Sequence, residues 1–153
     1  MNATMCRGLV VAVCAVLAAC DSGDPLSLEA QEGPALSVAK ADLDAALKCS
    51  DDLATASRPP VLMVPGTTMT PEANFSWNWL PALTQLGWPH CTIELPDNAM
   101  GDIQIAAEYV VHAVRQMAAV SGHRVQVIGH SQGGMVPRWA LRFWPDVRDK
   151  VED

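Results

Sequence analysis

The sequence predicts an α/β protein, with a parallel sheet whose strands are joined by crossover helices. The chain has 153 residues, which suits one domain. Half of its residues are hydrophobic, which is enough for a packed core. After residue 60, short apolar runs alternate with patterns of helical spacing. Strands separated by a helix pair in parallel through right-handed crossovers, so this order indicates an α/β sheet.

The first residues are typical of a targeting segment. Arg7 precedes the apolar run 8–19, which is too short to cross a bilayer as a stop-transfer helix. Small residues stand directly before Cys20, as in the lipobox of bacterial lipoproteins, although an ordinary signal peptide also fits. We expect a lipoprotein signal peptide over residues 1–19, a lipid anchor at Cys20 that holds the exported protein on a membrane, and a polar tether over residues 20–34.

The five cysteines agree with export. Cys6 and Cys14 fall in the segment that would be removed, and Cys20 is the expected anchor. Cys49 and Cys91 remain as one pair in a chain bound for an oxidising compartment. A disulfide between them would stabilise the fold by about 4 kcal/mol in the chain-entropy model, whereas two buried free thiols are the alternative.

The domain is expected over residues 35–153, and its elements follow in order. Strands are predicted where apolar runs end at turn residues, at 61–64, 91–95 and 125–128. Helices are predicted from apolar residues at helical spacing, at 37–48, 77–86, 102–120 and 133–144.

Four details accompany these elements. Ser37 fits the N-cap of the first helix, and Glu108 lies off the apolar stripe of the helix over 102–120. Pro137 is expected to loosen an early turn of the last helix. Residues 145–153 form a charged connection of the kind that leads into another strand. We therefore expect a fold that is truncated after its last helix.

A nucleophile motif follows the third predicted strand directly. Gly129, Ser131 and Gly133 match G-x-S-x-G. Eight serines and ten glycines in this chain give about 0.03 chance matches, so chance rarely produces it. The motif needs serine in a strained strand-to-helix turn that exposes its hydroxyl, with glycines where side chains would collide with backbone. Ser131 is thus the candidate nucleophile, and an idle serine in a Gly-rich turn is the alternative.

Donors for an oxyanion are expected from two places. One is the backbone N–H of Gln132, after the nucleophile, and the other is Thr67, in the loop after the first strand. Gly66 would let that loop approach closely. Trp77 and Trp79 either line an acyl pocket near Thr67 or pack in the core.

Other classes of function find little support. The net charge of −7, with scattered basic residues, argues against nucleic-acid binding. The sequence contains no metal-ligand cluster, P-loop or dinucleotide fingerprint, so no metal or cofactor is expected.

Several segments together resemble one family. They are LDAAL at 43–47 with Cys49, PVLMVPGT at 60–67, NW at 78–79, TQLG at 84–87, Cys91, EY at 108–109, SQGG at 131–134 and KV at 150–151. The chain from about residue 43 to residue 151 is similar to the lipase B type of α/β-hydrolase, known from Candida antarctica.

The resemblance implies the α/β-hydrolase fold and a serine carboxylic-ester hydrolase that acts on lipophilic esters. It implies Ser131 as nucleophile, Thr67 and Gln132 as oxyanion donors, and a disulfide between Cys49 and Cys91. Lipase B has Trp before the nucleophile and Thr at the start of the motif, where this chain has His130 and Gly129. Alcohol specificity is therefore not carried over.

The triad partners of Ser131 are missing. In this fold an Asp or Glu and then a His follow the nucleophile, yet no His follows Ser131. His130 should diverge from its neighbour, and His90, His112 and His123 fit packing or surface roles. We expect a fragment that lacks the triad Asp and His and is inactive alone. An acyltransferase on the same fold, or a non-catalytic surface lipoprotein derived from a hydrolase, are the alternatives.

Overall fold

A computed structural model describes residues 32–152, and it contains one mixed sheet with helices on both faces. The predicted signal peptide, Cys20 and most of the predicted tether lie outside these residues. Strands β1 to β4 span Leu47–Cys49, Val61–Val64, His90–Ile93 and Gln126–Gly129. Helices α1 to α5 span Lys40–Ala46, Pro71–Phe75, Trp79–Gln85, Ile103–Ser121 and Val136–Phe143. No helix among the described residues is long and apolar enough to cross a membrane.

The sheet has the strand order β1-β3-β2-β4. The three predicted strands pair in parallel, β3 with β2 and β2 with β4. The predicted parallel pairing of these strands is confirmed, and an additional strand that was not predicted, β1, pairs with β3 in the antiparallel sense. Residues 47–49, expected at the end of a helix, form this edge strand.

A disulfide fixes the register of the edge strand. Cys49 lies opposite Cys91, and the two sulfur atoms are bonded at 2.07 Å. The bridge joins residues 42 positions apart. It therefore fastens the segment before β2 to the strand that lies beside β2.

The central strand β2 separates two apolar layers. Its four residues are all buried, and alternate side chains point to opposite faces of the sheet. Leu62 and Val64 belong to the larger cluster, with the apolar stripe of α4. Val61 and Met63 pack on the other face, with Phe75 of α2. This burial on both faces explains why β2 reads as an unbroken apolar run.

Helix α4 begins and ends as its sequence predicts. Asp102 accepts a hydrogen bond from the Gln104 N–H at 2.7 Å, and Gly122 ends the helix at φ 70°. The expectation for Ser37 is wrong, because α1 begins after Ala39 and the Ser37 side chain donates instead to Glu108. Glu108, predicted off the apolar stripe, is buried for this reason.

Two further helices differ from prediction. The expected helix over 77–86 begins at Trp79, where Asn78 caps it, and the short helix α2 precedes it without a clear sequence signal. The expected helix from Gly133 is a 3₁₀ turn over Ser131–Gly134 followed by α5. Pro137 lies in the first turn of α5, where its missing N–H is not needed, so it does not loosen the helix.

After α5 the chain forms a 3₁₀ turn over Pro145–Lys150. Val151 then makes a parallel bridge to Val125, next to β4. The predicted connection thus leads into strand pairing.

Candidate active site

Ser131 occupies a strained turn at the carboxyl end of β4. Its φ is 54°, a left-handed value that costs a residue with a side chain about 1–3 kcal/mol. The 3₁₀ turn that starts at Ser131 closes with a hydrogen bond from Gly133 N–H to His130 O at 2.8 Å. Ser131 is exposed. The hydroxyl therefore stands at the surface, on a backbone that the surrounding turn constrains.

The two motif glycines allow this turn to close. A Cβ on Gly129 would lie 2.1 Å from the Gly133 carbonyl oxygen, and a Cβ on Gly133 would lie 2.2 Å from the Val64 carbonyl oxygen. Both neighbours are backbone atoms that cannot turn away. A side chain at Gly129 would therefore open the elbow turn itself, and one at Gly133 would push the elbow away from the end of β2.

The loop after β2 lies directly against the elbow. The His130 N–H donates to Val64 O at 3.1 Å, and a Cβ on Gly66 would lie 3.1 Å from the Ser131 Cβ. The Thr67 hydroxyl donates to the Gln132 side-chain oxygen. The structure thus brings the two residues predicted as oxyanion donors, Thr67 and Gln132, into contact beside Ser131.

Two backbone N–H groups beside Ser131, those of Thr67 and Gln132, remain available to a ligand in the described part of the chain. Among the described residues, neither group donates a hydrogen bond to another atom. Gln132 also lies at the start of a 3₁₀ turn, where the unpaired N–H groups carry partial positive charge. The arrangement can hold a negatively charged oxygen close to Ser131.

A second strained turn supports the loop after β2. Asp97, Asn98 and Ala99, which follow β3, all have positive φ, between 50° and 61°. The Asn98 carbonyl accepts a hydrogen bond of 2.7 Å from the N–H of Thr68, which is itself left-handed. The position of Thr67 therefore depends on backbone from the next strand of the sheet.

Asn74 is a site residue that no sequence pattern indicates. Its side chain oxygen accepts a hydrogen bond of 2.9 Å from the Gly66 N–H, and His130 Nδ1 lies 3.2 Å from the same oxygen. Asn74 is only 7% exposed. It lies in α2, eight residues after Gly66, and belongs to no recognised motif.

The histidines do not reach Ser131. Besides His130, His112 Nε2 contacts Asp44 Oδ1 at 2.8 Å, His123 Nε2 contacts Ala56 O at 3.1 Å, and His90 Nδ1 contacts Trp88 O at 2.8 Å. Within residues 32–152, no histidine or carboxylate makes a hydrogen bond with the Ser131 hydroxyl. Nor does this part of the chain contain a cluster of three potential metal ligands.

Large apolar side chains are exposed between β2 and β3 and after the elbow turn. Trp77 is 75% exposed and Trp79 47%, so neither packs in the core. Met69, in the loop after β2, and Met135, directly after the elbow turn, are also exposed. The loop after β2 and the residue after the elbow turn therefore present apolar surface to the solvent.

The proteins that this chain is similar to are lipases. No protein-family model matches the chain. Lipase B of Pseudozyma antarctica is 40% identical over 143 residues, which are 92% of this chain and 42% of that protein. The chain thus spans less than half the length of this relative.

Solved structures show the same fold. Aspergillus fumigatus lipase B superposes with a TM-score of 0.71 at 30% identity, over 80% of this chain and 30% of that one. The mature form of the Bacillus licheniformis lipase BlEst2 superposes with a TM-score of 0.57 at 20% identity, over 69% of this chain and 43% of that one. The second match supports the fold alone.

Proposed function

The chain belongs to the lipase B type of α/β-hydrolases, and we propose that it carries the nucleophile and the oxyanion donors of a serine carboxylic-ester hydrolase. One observation carries the proposal. Ser131 sits exposed in a left-handed turn, and Thr67 and Gln132 contact each other beside it, with N–H groups that donate to no atom of residues 32–152. Strain of this kind persists only where the surrounding structure enforces it.

The proposed reaction has two halves. The Ser131 oxygen attacks the ester carbonyl carbon and loses its proton to a base, and the carbonyl oxygen takes up negative charge. The N–H groups of Thr67 and Gln132 bind that oxygen, and the loss of one such donor typically costs about 3 kcal/mol of transition-state stabilisation. Collapse releases the alcohol, which receives the proton. Water then cleaves the acyl-enzyme and restores the Ser131 hydroxyl.

The base is proposed to come from outside residues 32–152. The four histidines of the chain all bind other groups, as described above, so none is placed to accept the Ser131 proton. We propose that residues after Asp153 supply a histidine and the carboxylate that orients it. The 153-residue chain alone is then expected to be inactive.

The substrate is proposed to be a lipophilic ester, such as an acylglycerol. Exposed Met69, Met135, Trp77 and Trp79 would offer apolar contacts to an acyl chain or to a lipid surface. The relatives that the chain matches are named lipases.

Export and anchoring complete the proposal. The apolar run that ends before Cys20 supports cleavage at that point, lipidation of Cys20 and a place on the cell envelope. Mass spectrometry of the mature N-terminus tests this directly, since an unmodified or uncleaved N-terminus would contradict it.

Activity labelling tests the catalytic proposal. The protein extended by the reading frame after Asp153 is treated with a fluorophosphonate and with p-nitrophenyl esters, beside Ser131→Ala. We expect wild-type labelling and hydrolysis, and in Ser131→Ala no labelling and a loss of kcat of about four orders of magnitude or more. Ser57→Ala, at an exposed serine in the loop before β2, is the matched control and should retain both.

Two outcomes would contradict the proposal. Equal labelling of wild type and Ser131→Ala would remove Ser131 as the nucleophile. Labelling of Ser131 in the 153-residue chain alone would mean that the base lies within it.

A further inference from the structure

We propose that Asn74 is a positioning residue that joins the loop after β2 to the nucleophile elbow and fixes the tautomer of His130. The claim that Asn74 positions catalytic groups rests on the proposed function, whereas its contacts with Gly66 and His130 do not. Its side-chain oxygen contacts one nitrogen from each of the two loops. These nitrogens belong to Gly66, directly before Thr67, and to His130, directly before Ser131.

The orientation of the Asn74 carboxamide follows from chemistry. The Gly66 nitrogen is a backbone N–H, which only donates, so the Asn74 atom that faces it at 2.9 Å must be the oxygen. That oxygen only accepts, and His130 Nδ1 lies 3.2 Å from it. His130 therefore carries its proton on Nδ1 and leaves the lone pair on Nε2.

The backbone around Asn74 is built to hold this side chain in place. Thr70 caps α2, and the Asn74 N–H donates to Thr70 O at 3.1 Å. The Asn78 side chain donates to Asn74 O at 3.2 Å, while the neighbouring Phe75 is 1% exposed in the core. A residue fixed on both sides in this way loses little further entropy when it orients another group.

Gly66 lies so close to His130 that loss of the shared Asn74 oxygen would affect both loops. A Cβ on Gly66 would lie 2.9 Å from His130 Nδ1, so the two loops already touch at this point. Without the Asn74 oxygen, the buried Gly66 N–H would have no partner, and the His130 ring would be free to turn. The positions of Thr67 and Ser131 would then no longer be linked through one side chain, although neither residue contacts Asn74.

Nitrogen-15 NMR of the histidine side chains in the 153-residue chain tests the proposal without turnover. In wild type we expect neutral His130 to show the proton on Nδ1. We expect Asn74→Ala to lose this signature and Asn74→Asp to keep it, because a carboxylate oxygen accepts from both nitrogens. Glu72→Ala, at an exposed position of the same helix, is the control and should keep the wild-type signature.

Two NMR results would overturn the proposal. A wild-type His130 with its proton on Nε2, or a Nδ1–H signature unchanged in Asn74→Ala, contradicts it. In the esterase assay of the extended protein, Asn74→Ala should lower kcat by about tenfold or more with little change in KM, and Asn74→Asp should recover part of it. Absence of esterase activity in every form would overturn the proposed function and leave the NMR result standing.

Discussion

Two regions of the molecule hold their backbone in different ways. The elbow edge comprises the turns after β2, β3 and β4, at residues 65–68, 96–99 and 130–134. The N-terminal segment comprises residues 37–49. Every non-glycine residue with positive φ in the described part of the chain lies in the elbow edge: Thr68, Asp97, Asn98, Ala99 and Ser131.

The N-terminal segment has no such residue and is cross-linked instead. Glu108 of α4 accepts hydrogen bonds from Ser37 and Val38, and His112 of α4 contacts Asp44. The disulfide from Cys49 closes its other end. The comparison teaches that this fold confines left-handed backbone to the edge where the candidate nucleophile stands. The N-terminal segment is held instead by a covalent link and by a buried carboxylate.

The largest effect is expected from a single methyl group added at the elbow edge. In Gly133→Ala the new Cβ would lie 2.2 Å from Val64 O, whereas in Gly134→Ala it would lie at an ordinary van der Waals distance of 3.9 Å from Gly129 O. We expect Gly133→Ala to lower the free energy of unfolding by more than about 3 kcal/mol and Gly134→Ala by less than about 1 kcal/mol. Urea denaturation followed by tryptophan fluorescence measures both. Equal costs would show that the elbow is not closely packed.

The fastening of the N-terminal segment is tested at Glu108. This carboxylate is 6% exposed and accepts from Ser37 N at 2.6 Å, Ser37 Oγ at 2.8 Å and Val38 N at 2.9 Å. We expect Glu108→Ala to cost about 2–3 kcal/mol, because three donors lose their acceptor. Gln104→Ala, on the exposed face of the same helix, should stay within about 0.5 kcal/mol of wild type. Thermal and urea unfolding compare the two, and a Glu108→Ala as mild as the control would refute the role of this carboxylate.

A smaller effect is expected at a third fastening on α4. Asp146 accepts from Arg115 Nε and Nη2, both at 2.9 Å. Burial acts to raise the pKa of Asp146, but the hydrogen bonds and charge of Arg115, with Lys150, hold this pKa below its ordinary value of 3.8. The ion pair therefore stabilises the fold above about pH 4, and this contribution disappears as the pH falls through the lowered pKa.

Asp146→Asn should accordingly lower the free energy of unfolding by about 1 kcal/mol at pH 7 and by less at pH 3. The matched control is Asp149→Asn, at an exposed aspartate of the same turn. Denaturation at several pH values follows the difference. A penalty for Asp146→Asn that grows as the pH falls would reverse the sign and contradict the pairing.

The sequence predicted the parts of the fold that local patterns determine. The apolar run of β2 and the apolar stripe of α4 depend on neighbouring residues, and both predictions are confirmed. The edge strand β1 was missed because Leu43 and Leu47 have helical spacing, while residues 47–49 are held extended by pairing with β3, more than 40 residues away. Glu108 was misjudged for a similar reason, since its partners come from Ser37 and Val38.

The candidate site divides in the same way. Ser131 and its glycines carry a local signature, and the geometry agrees with the turn that this signature requires. Asn74 carries none, because its contacts with Gly66 and His130 exist only once α2 has folded beneath both loops. The support that Asn98 gives to Thr68 likewise depends on strand order rather than on any motif.

The glycine contacts at the elbow also limit how this site can be varied. Gly129 and Gly133 admit no methyl group, and Gly66 has little room for one, so the backbone beneath the site accepts almost no change. Side chains at the rim, such as those of Met69 and Met135, are under no such restriction. A designer who seeks new ester preferences in this scaffold should therefore randomise the rim and leave the glycines untouched, because a library that includes them would consist largely of misfolded members.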